Sequence, residues 1–367
     1  DEGRDQVTIG PTCRFVDNVE RTAFSPGLFN RYGDDLPEVP AVFTGVGDDW
    51  PAARPVTGGS ATAEACVVPF ATSSWSVASL AARGCGANDR HFSVDGGPGF
   101  ARLSLADARV GIDHFAAYCE NDGDGDLAPL YIFDPALATR TFADGTPYCD
   151  EFGVPECFTH DTMAGLQGSI FRPLPPAWLL VGPRRSGTPI HDHPHTVAWN
   201  VLLDGTKLWV CLPPDVDPIF LLLGAGQERG RGSSGDEDGS AEGKAGVEQN
   251  EEDEEEGFDL EAIAWFESWS KGTLLPKGAC VIVQRAGEVV FVPAGWWHVV
   301  LNCSASTTAL SHSIGLRRDF AKTWPSLVEE DPEMALFWLQ QVLKEEAYCD
   351  GLPNWILEWG KGRGNSK

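Results

Sequence analysis

Apolar positions are densest between residues 129 and 302, where they come as short runs divided by turn residues. PLYIFD (129–134), AWLLVG (177–182), TVAWNVLL (196–203) and TKLWVCL (206–212) form the first group. CVIVQ (280–284), EVVFVP (288–293) and WHVVLN (297–302) form the second. Their Val, Ile, Trp, Tyr and Phe suit a pleated surface. GPRRSGTP, LDGT, RAGE and PAGW punctuate them, and these are turn formers. Short strands joined by turns at this density predict an antiparallel sandwich or barrel.

Helical spacing lies on either side of that block. WSVASLAAR (75–83) carries Trp75, Leu80 and Ala81 at helix-like intervals. Residues 104–120 read as a second helix, with Ser104 as N-cap, Asp107 three residues later, and Val110, His114 and Phe115 on one face. FSPGLFNRYG (24–33) is expected to start a short helix. Ile263, Phe266 and Trp269 predict an amphipathic helix within 260–270. In the tail, Asp331 as N-cap and Pro332 at the first helical position predict a helix over 331–348.

One segment has no such pattern. Between Glu228 and Asp259 there are 13 acidic residues and 3 basic ones among Gly and Ser. Too little apolar surface is present to offset chain entropy, so a disordered loop inserted between strands is expected. Either it is only solvated, or it attracts Lys/Arg-rich partners. The resulting division is a mixed helical region over 1–128, a barrel over 129–325 interrupted at 228–259, and a helical tail over 326–367.

Charge narrows the function classes. With 54 acidic against 27 basic residues the net charge is −27. That opposes binding to phosphate backbones and favours basic protein partners. No run of eighteen apolar residues is present, so no membrane-spanning helix is expected. The ten cysteines are scattered with no C-x-x-C spacing. Several, such as Cys211 and Cys280, fall in apolar runs and read as small buried hydrophobes in a reduced, intracellular protein, nuclear or cytoplasmic. The chain begins at Asp1 rather than Met, which reads as a piece of a longer protein with any targeting signal upstream.

Three of the eight histidines crowd into PIHDHPH as His191, His193 and His195. Alternate residues of a strand share a face, so His191 and His193 project together. About a hundred residues later WHVVLN supplies His298. Two ligands from one strand end and a third from a distant strand make a facial metal triad, which leaves positions open for oxygen and a co-substrate.

GPRRSGTPIHDHPHTVAWNVLLDGTKLWVCLPP followed by AGEVVFVPAGWWHVVLN resembles the JmjC-domain oxygenases, in particular the branch of lysyl hydroxylases and arginine demethylases. The resemblance runs over roughly residues 25–325, apart from the acidic run. It implies a double-stranded β-helix, a cupin-like jelly roll, mainly β with flanking α-helices. It also implies Fe(II), dioxygen and 2-oxoglutarate. By matching position, His191 and His298 fall on the first and last iron ligands. Lys207 falls on the lysine that meets the distal carboxylate of 2-oxoglutarate. Tyr131 and Asn200 match co-substrate hydrogen-bonding positions, and Ser311 stands where the family has a threonine hydroxyl.

The family motif is His, any residue, then Asp or Glu. Here His193 occupies the second ligand's place, and Asp192 comes one residue early. Three arrangements are open: a triad of His191, His193 and His298; a bulge that turns Asp192 inward; or a degraded metal site. The functional expectations divide accordingly. One is a protein hydroxylase or demethylase acting on basic substrates. Another is a non-catalytic barrel that holds a basic partner. An RNA hydroxylase fits the charge least.

Overall fold

The computed structural model describes residues 4–9, 13–53, 73–87, 90–95, 108–121, 125–172, 177–221, 260–269, 274–349 and 352–363. The acidic run at 228–259 lies outside the described residues, as do Ser104 and Asp107.

The strands are β1 (Gln6–Ile9), β2 (Cys13–Val16), β3 (Arg21–Ala23), β4 (Ala41–Thr44), β5 (His91–Asp95), β6 (Arg109–Gly111) and β7 (Tyr131–Asp134). Eight more follow: β8 (Ala177–Pro183), β9 (Gly187–His191), β10 (Val197–Asp204), β11 (Thr206–Leu212), β12 (Cys280–Arg285), β13 (Val289–Val292), β14 (Trp297–Asn302) and β15 (Ser306–Ile314). Apart from a β1-β2 hairpin they form two sheets, in the orders β3-β4-β13-β10-β15-β8-β7-β5-β6 and β12-β11-β14-β9. From β8 onward the chain passes repeatedly between the large and the small sheet, and all pairings there are antiparallel. This is the jelly roll, a mainly β fold with flanking helices.

Strand alternation sorts the core into layers. Ala198, Val290 and Val292 of the large sheet meet Trp209, Ile282 and Val300 of the small one between the sheets. The other face of the small sheet, with Leu208, Val210 and Leu301, is covered by helix Ala262–Ser268 through Ile263, Trp265 and Phe266. The outer face of the large sheet buries Trp199, Val201 and Leu310 beneath helices Val77–Arg83 and Ile112–Asn121. A fourth cluster, around Trp324, Trp338 and Leu339, belongs to the C-terminal helices. In chain order these helices are α1 (Val77–Arg83), α2 (Ile112–Asn121), α3 (Ala262–Ser268), α4 (Arg317–Glu330), α5 (Pro332–Val342), α6 (Glu346–Cys349) and α7 (Asn354–Arg363).

All seven apolar runs are strands, but the pattern missed others. β15 reads STTALSHSI, and its hydroxyl-rich faces hide it from a hydrophobicity search. β9 falls inside a Gly/Pro segment that reads as a turn, and β1 to β6 are too short to stand out. The helix expected over 104–120 begins only at Ile112. Val110 instead pairs with Phe92 across β5 and β6, so it shares no helical face with Phe115. No helix forms at 24–33, where Gly27 and Gly33 hold positive φ angles of 80° and 68°. The tail helix breaks after Val342. Its start is as expected, since the Asp331 side chain accepts from the Met334 N–H at 2.9 Å.

One glycine governs how β9 seats against β14. A Cβ at Gly187 would lie 1.9 Å from the Val300 carbonyl oxygen, a clash with backbone that no rotamer relieves. Gly187→Ala is expected to cost about 3 kcal/mol, the upper end of overpacking penalties. Denaturant unfolding checks this; unchanged stability would show that β9 can shift without loss.

Candidate metal centre

β14 lies between β9 and β11, and its register fixes the site. His298 sits opposite His191 on one side and opposite Cys211 on the other. A bulge between His298 and Val300 then brings Thr188 opposite Val300. His193 follows two residues beyond His191, where its carbonyl accepts the Gly295 N–H at 2.9 Å. The three imidazoles converge: ring centroids are 4.1 Å apart for His191 and His298, 5.0 Å for His191 and His193, and 5.3 Å for His193 and His298. One nitrogen from each lies within 4.8 Å of the others.

The ring orientations are set from behind. His191 Nδ1 lies 2.8 Å from the Pro189 carbonyl and His298 Nδ1 lies 3.0 Å from the Trp296 carbonyl. A carbonyl accepts only from N–H, so each Nδ1 carries the proton and each Nε2 keeps its lone pair. Trp209 stacks on His298 at 6.1 Å and 24°, and Gln284 Oε1 accepts from Trp209 Nε1 at 2.8 Å. Burial lowers all three imidazole pKa values. His193 falls to about 4, with His191 adding to the effect, and His298 falls well below its ordinary value. Three neutral imidazoles facing one another, His298 buried and His191 and His193 partly so, suit a divalent transition metal.

Asp192 is not in this cluster. Burial raises its carboxyl pKa, opposed by the neighbouring His191. Of the arrangements open in the sequence, the geometry brings together His191, His193 and His298 and leaves Asp192 aside. His195 is turned toward the C-terminal helices, with its ring 6.3 Å from that of Trp338.

At the other end of β11, Lys207 is 1% exposed. Its Nζ donates to the Tyr131 hydroxyl at 3.1 Å, and no carboxylate among the described residues pairs with it. Burial pushes its pKa down to about 7. A buried ammonium without an anion is costly, so this environment asks for a negative ligand. Asn302 stands opposite Lys207 across β11 and β14. Its Nδ2 donates to Ser186 Oγ at 2.8 Å, while its Oδ1 and the Thr307 hydroxyl are buried without a hydrogen-bond partner. Orphaned polar atoms beside an uncompensated lysine call for a partner that the described residues do not supply.

Asn200 and Ser311 face each other across β10 and β15. Asn200 Oδ1 accepts from Gln284 Nε2 at 3.4 Å, and the same nitrogen donates to the Asn200 carbonyl at 3.0 Å. Sequence reasoning thus named residues from β7, β9, β10, β11, β14 and β15 that meet in one interior. It missed Thr188, Gln284, Asn302 and Thr307. The alternation in WHVVLN was the available signal for Asn302, because residues 298, 300 and 302 share a face.

A family described as "Cupin-like domain" matches residues 36–313. The chain is 27% identical over 345 residues to the "Bifunctional arginine demethylase and lysyl-hydroxylase psr-1" of Caenorhabditis elegans, covering 90% of this chain and 70% of that protein. The protein of the same name in Caenorhabditis briggsae is 29% identical over 310 residues, 83% of this chain and 63% of that one. The "Arginine-specific demethylase JMJ22" of Arabidopsis thaliana is 32% identical over 206 residues, 55% of this chain and 32% of its own length. The jelly roll, the interior triad and these similarities agree, and the chain belongs to the family of cupin-like JmjC domains.

Proposed function

We propose that this chain is an Fe(II)- and 2-oxoglutarate-dependent dioxygenase that hydroxylates, or through hydroxylation demethylates, lysine or arginine side chains of a basic protein. The observation that carries this reading is one inward-facing strand system with a cluster of three histidines at one end and an uncompensated lysine at the other. His298 is opposite Cys211, four residues along β11 from Lys207. The Cα positions are therefore about 13 Å apart along the sheet. That spacing suits a short dicarboxylate held between side chains reaching in from both ends. The net charge of −27 and the activities for which the relatives are named support a basic protein substrate over a nucleic acid. Among the described cysteines none is in a disulfide, which suits a nuclear or cytoplasmic setting.

In this reading His191, His193 and His298 hold iron by Nε2. Bound iron with 2-oxoglutarate and dioxygen supplies oxidation of an unactivated C–H bond. The protein's own groups bind and orient. Lys207, with the Tyr131 hydroxyl beside it, meets the distal carboxylate and offsets its desolvation. Asn200, Ser311 and Thr188 line the path between, and Trp209 holds His298 in plane. The test is succinate formation with Fe(II) and 2-oxoglutarate, with and without Lys/Arg-rich peptides. Replacement of the family's carboxylate by His193 favours a second reading, a barrel that binds a basic partner without turnover. Peptide binding without succinate would establish it.

Three outcomes follow from the site. His193→Ala should lose the metal while Asp192→Ala keeps it, measured as metal content of the two proteins purified side by side; the reverse would mean that Asp192 swings inward. Lys207→Ala should abolish 2-oxoglutarate binding in calorimetry with the melting temperature unchanged or raised, because a buried charge is removed. Protons compete with a metal for imidazole. Since the histidines are held down, His193 to about 4, bound metal should persist at pH 6 and be released as the pH approaches 4. Half-release near the ordinary imidazole value of about 6.5 would contradict the burial of the triad.

A further inference from the structure

A cavity of about 340 Å³ opens at the rim of the barrel beside the triad, with Pro194, Pro293 and Trp296 among its lining on one side and Arg318, Asp319 and Lys322 of α4 on the other. Its lining adjoins the histidine cluster along the chain. Pro194 follows His193 directly, and Gly295, also in the lining, makes the hydrogen bond to the His193 carbonyl. Asp319 is 8% exposed. Its Oδ2 is buried with no hydrogen-bond partner.

The nearby cations do not satisfy it. Arg318 is committed to the loop before β4, donating to the carbonyls of Asp34 at 3.2 Å, Pro37 at 3.0 Å and, at closer range, Leu36. Its Nε is 3.7 Å from Asp319 Oδ1 and makes no hydrogen bond. Lys322 is 62% exposed at its side chain and divided between Glu38 at 3.3 Å and Asp319 Oδ1 at 3.9 Å. Burial raises the Asp319 carboxyl pKa, Glu38 and Asp34 add to the rise, and Arg318 and Lys322 only oppose it. A largely desolvated carboxylate in the lining of a groove of proline and tryptophan suits an incoming cation whose aliphatic stem lies on the apolar wall.

We propose that this groove is a specificity subsite, in which Asp319 Oδ2 takes the side-chain cation of a lysine or arginine flanking the residue that enters the metal centre. The inference rests on the dioxygenase reading and adds to it the place where a basic peptide is gripped. Asp319 acts here in binding; it touches no reacting atom. Lys322 is its intramolecular competitor, so the two residues have opposite effects.

Fluorescence anisotropy of a labelled Lys/Arg-rich peptide tests it, on the full chain with Fe(II) and 2-oxoglutarate under anaerobic conditions. Asp319→Asn, which keeps shape, should weaken binding about tenfold. Lys322→Ala should tighten it. A peptide with citrulline and norleucine in place of arginine and lysine should bind wild type weakly and be indifferent to Asp319→Asn. Both variants should bind 2-oxoglutarate as wild type does in calorimetry. If both variants grip the basic peptide as wild type does, or if wild type binds 2-oxoglutarate but no basic peptide, the subsite is overturned and the dioxygenase reading stands. If wild type binds no 2-oxoglutarate, that reading falls, and this inference with it.

Discussion

The site depends on β14 being held in register between two neighbours. Pairing with β9 sets His298 against His191, and pairing with β11 sets Cys211 beside His298 and Lys207 beside Asn302. A one-residue slip of β14 would turn His298 out of the interior, since strand side chains alternate faces. The register is fixed by burial on both sides of the small sheet. Val299 and Leu301 belong to the layer under α3, while Val300 belongs to the layer between the sheets. Gly187 completes the arrangement, because only a residue without Cβ fits against the Val300 carbonyl.

Within that frame the interior is polar by position. Asn200, Lys207, Gln284, His298 and Asn302 are each 3% exposed or less, and they project from strands whose other faces are packed with Val, Leu and Trp. Gln284 is satisfied through Trp209, Asn200 and the Glu288 carbonyl. Asn302 and Thr307 are not fully satisfied, and Lys207 has a neutral phenol where a cation calls for an anion. Among the described residues of this interior Gln284 is fully paired, whereas Asn302 Oδ1 and the Thr307 hydroxyl have no partner and Lys207 has no anion. That contrast separates the scaffold from the expected ligand-binding surface.

In the proposed reading, histidine in place of a carboxylate at the second ligand position changes the electrostatics of the site. His193 reaches the cluster from the residue after β9's extension, and Pro194 follows it at the rim. Three neutral imidazoles leave a divalent ion with its full charge, whereas a carboxylate offsets part of it. In the proposed dioxygenase, a dianionic co-substrate would then be the principal source of compensation, tying metal and co-substrate binding more closely together.

The sequence by itself determined the jelly-roll strands with continuous apolar character, from AWLLVG to WHVVLN, because burial on both faces imposes composition on a strand. It also determined the pairing of His191 with His193 and the inward direction of Lys207, because strand periodicity is local. It left Asp192 and His193 as rivals, since choosing between them requires knowing where β9 ends relative to β14. In the tertiary structure it is His193 that lies beside His191 and His298, through the β9–β14 register and the bulge after His298. The tertiary structure alone disclosed β15, whose hydroxyl-bearing residues are buried only because β8 and β10 flank them. The Asp319 groove was likewise invisible, because it forms where α4 meets the turn at Pro293–Trp296, and such a meeting leaves no periodic trace in either segment.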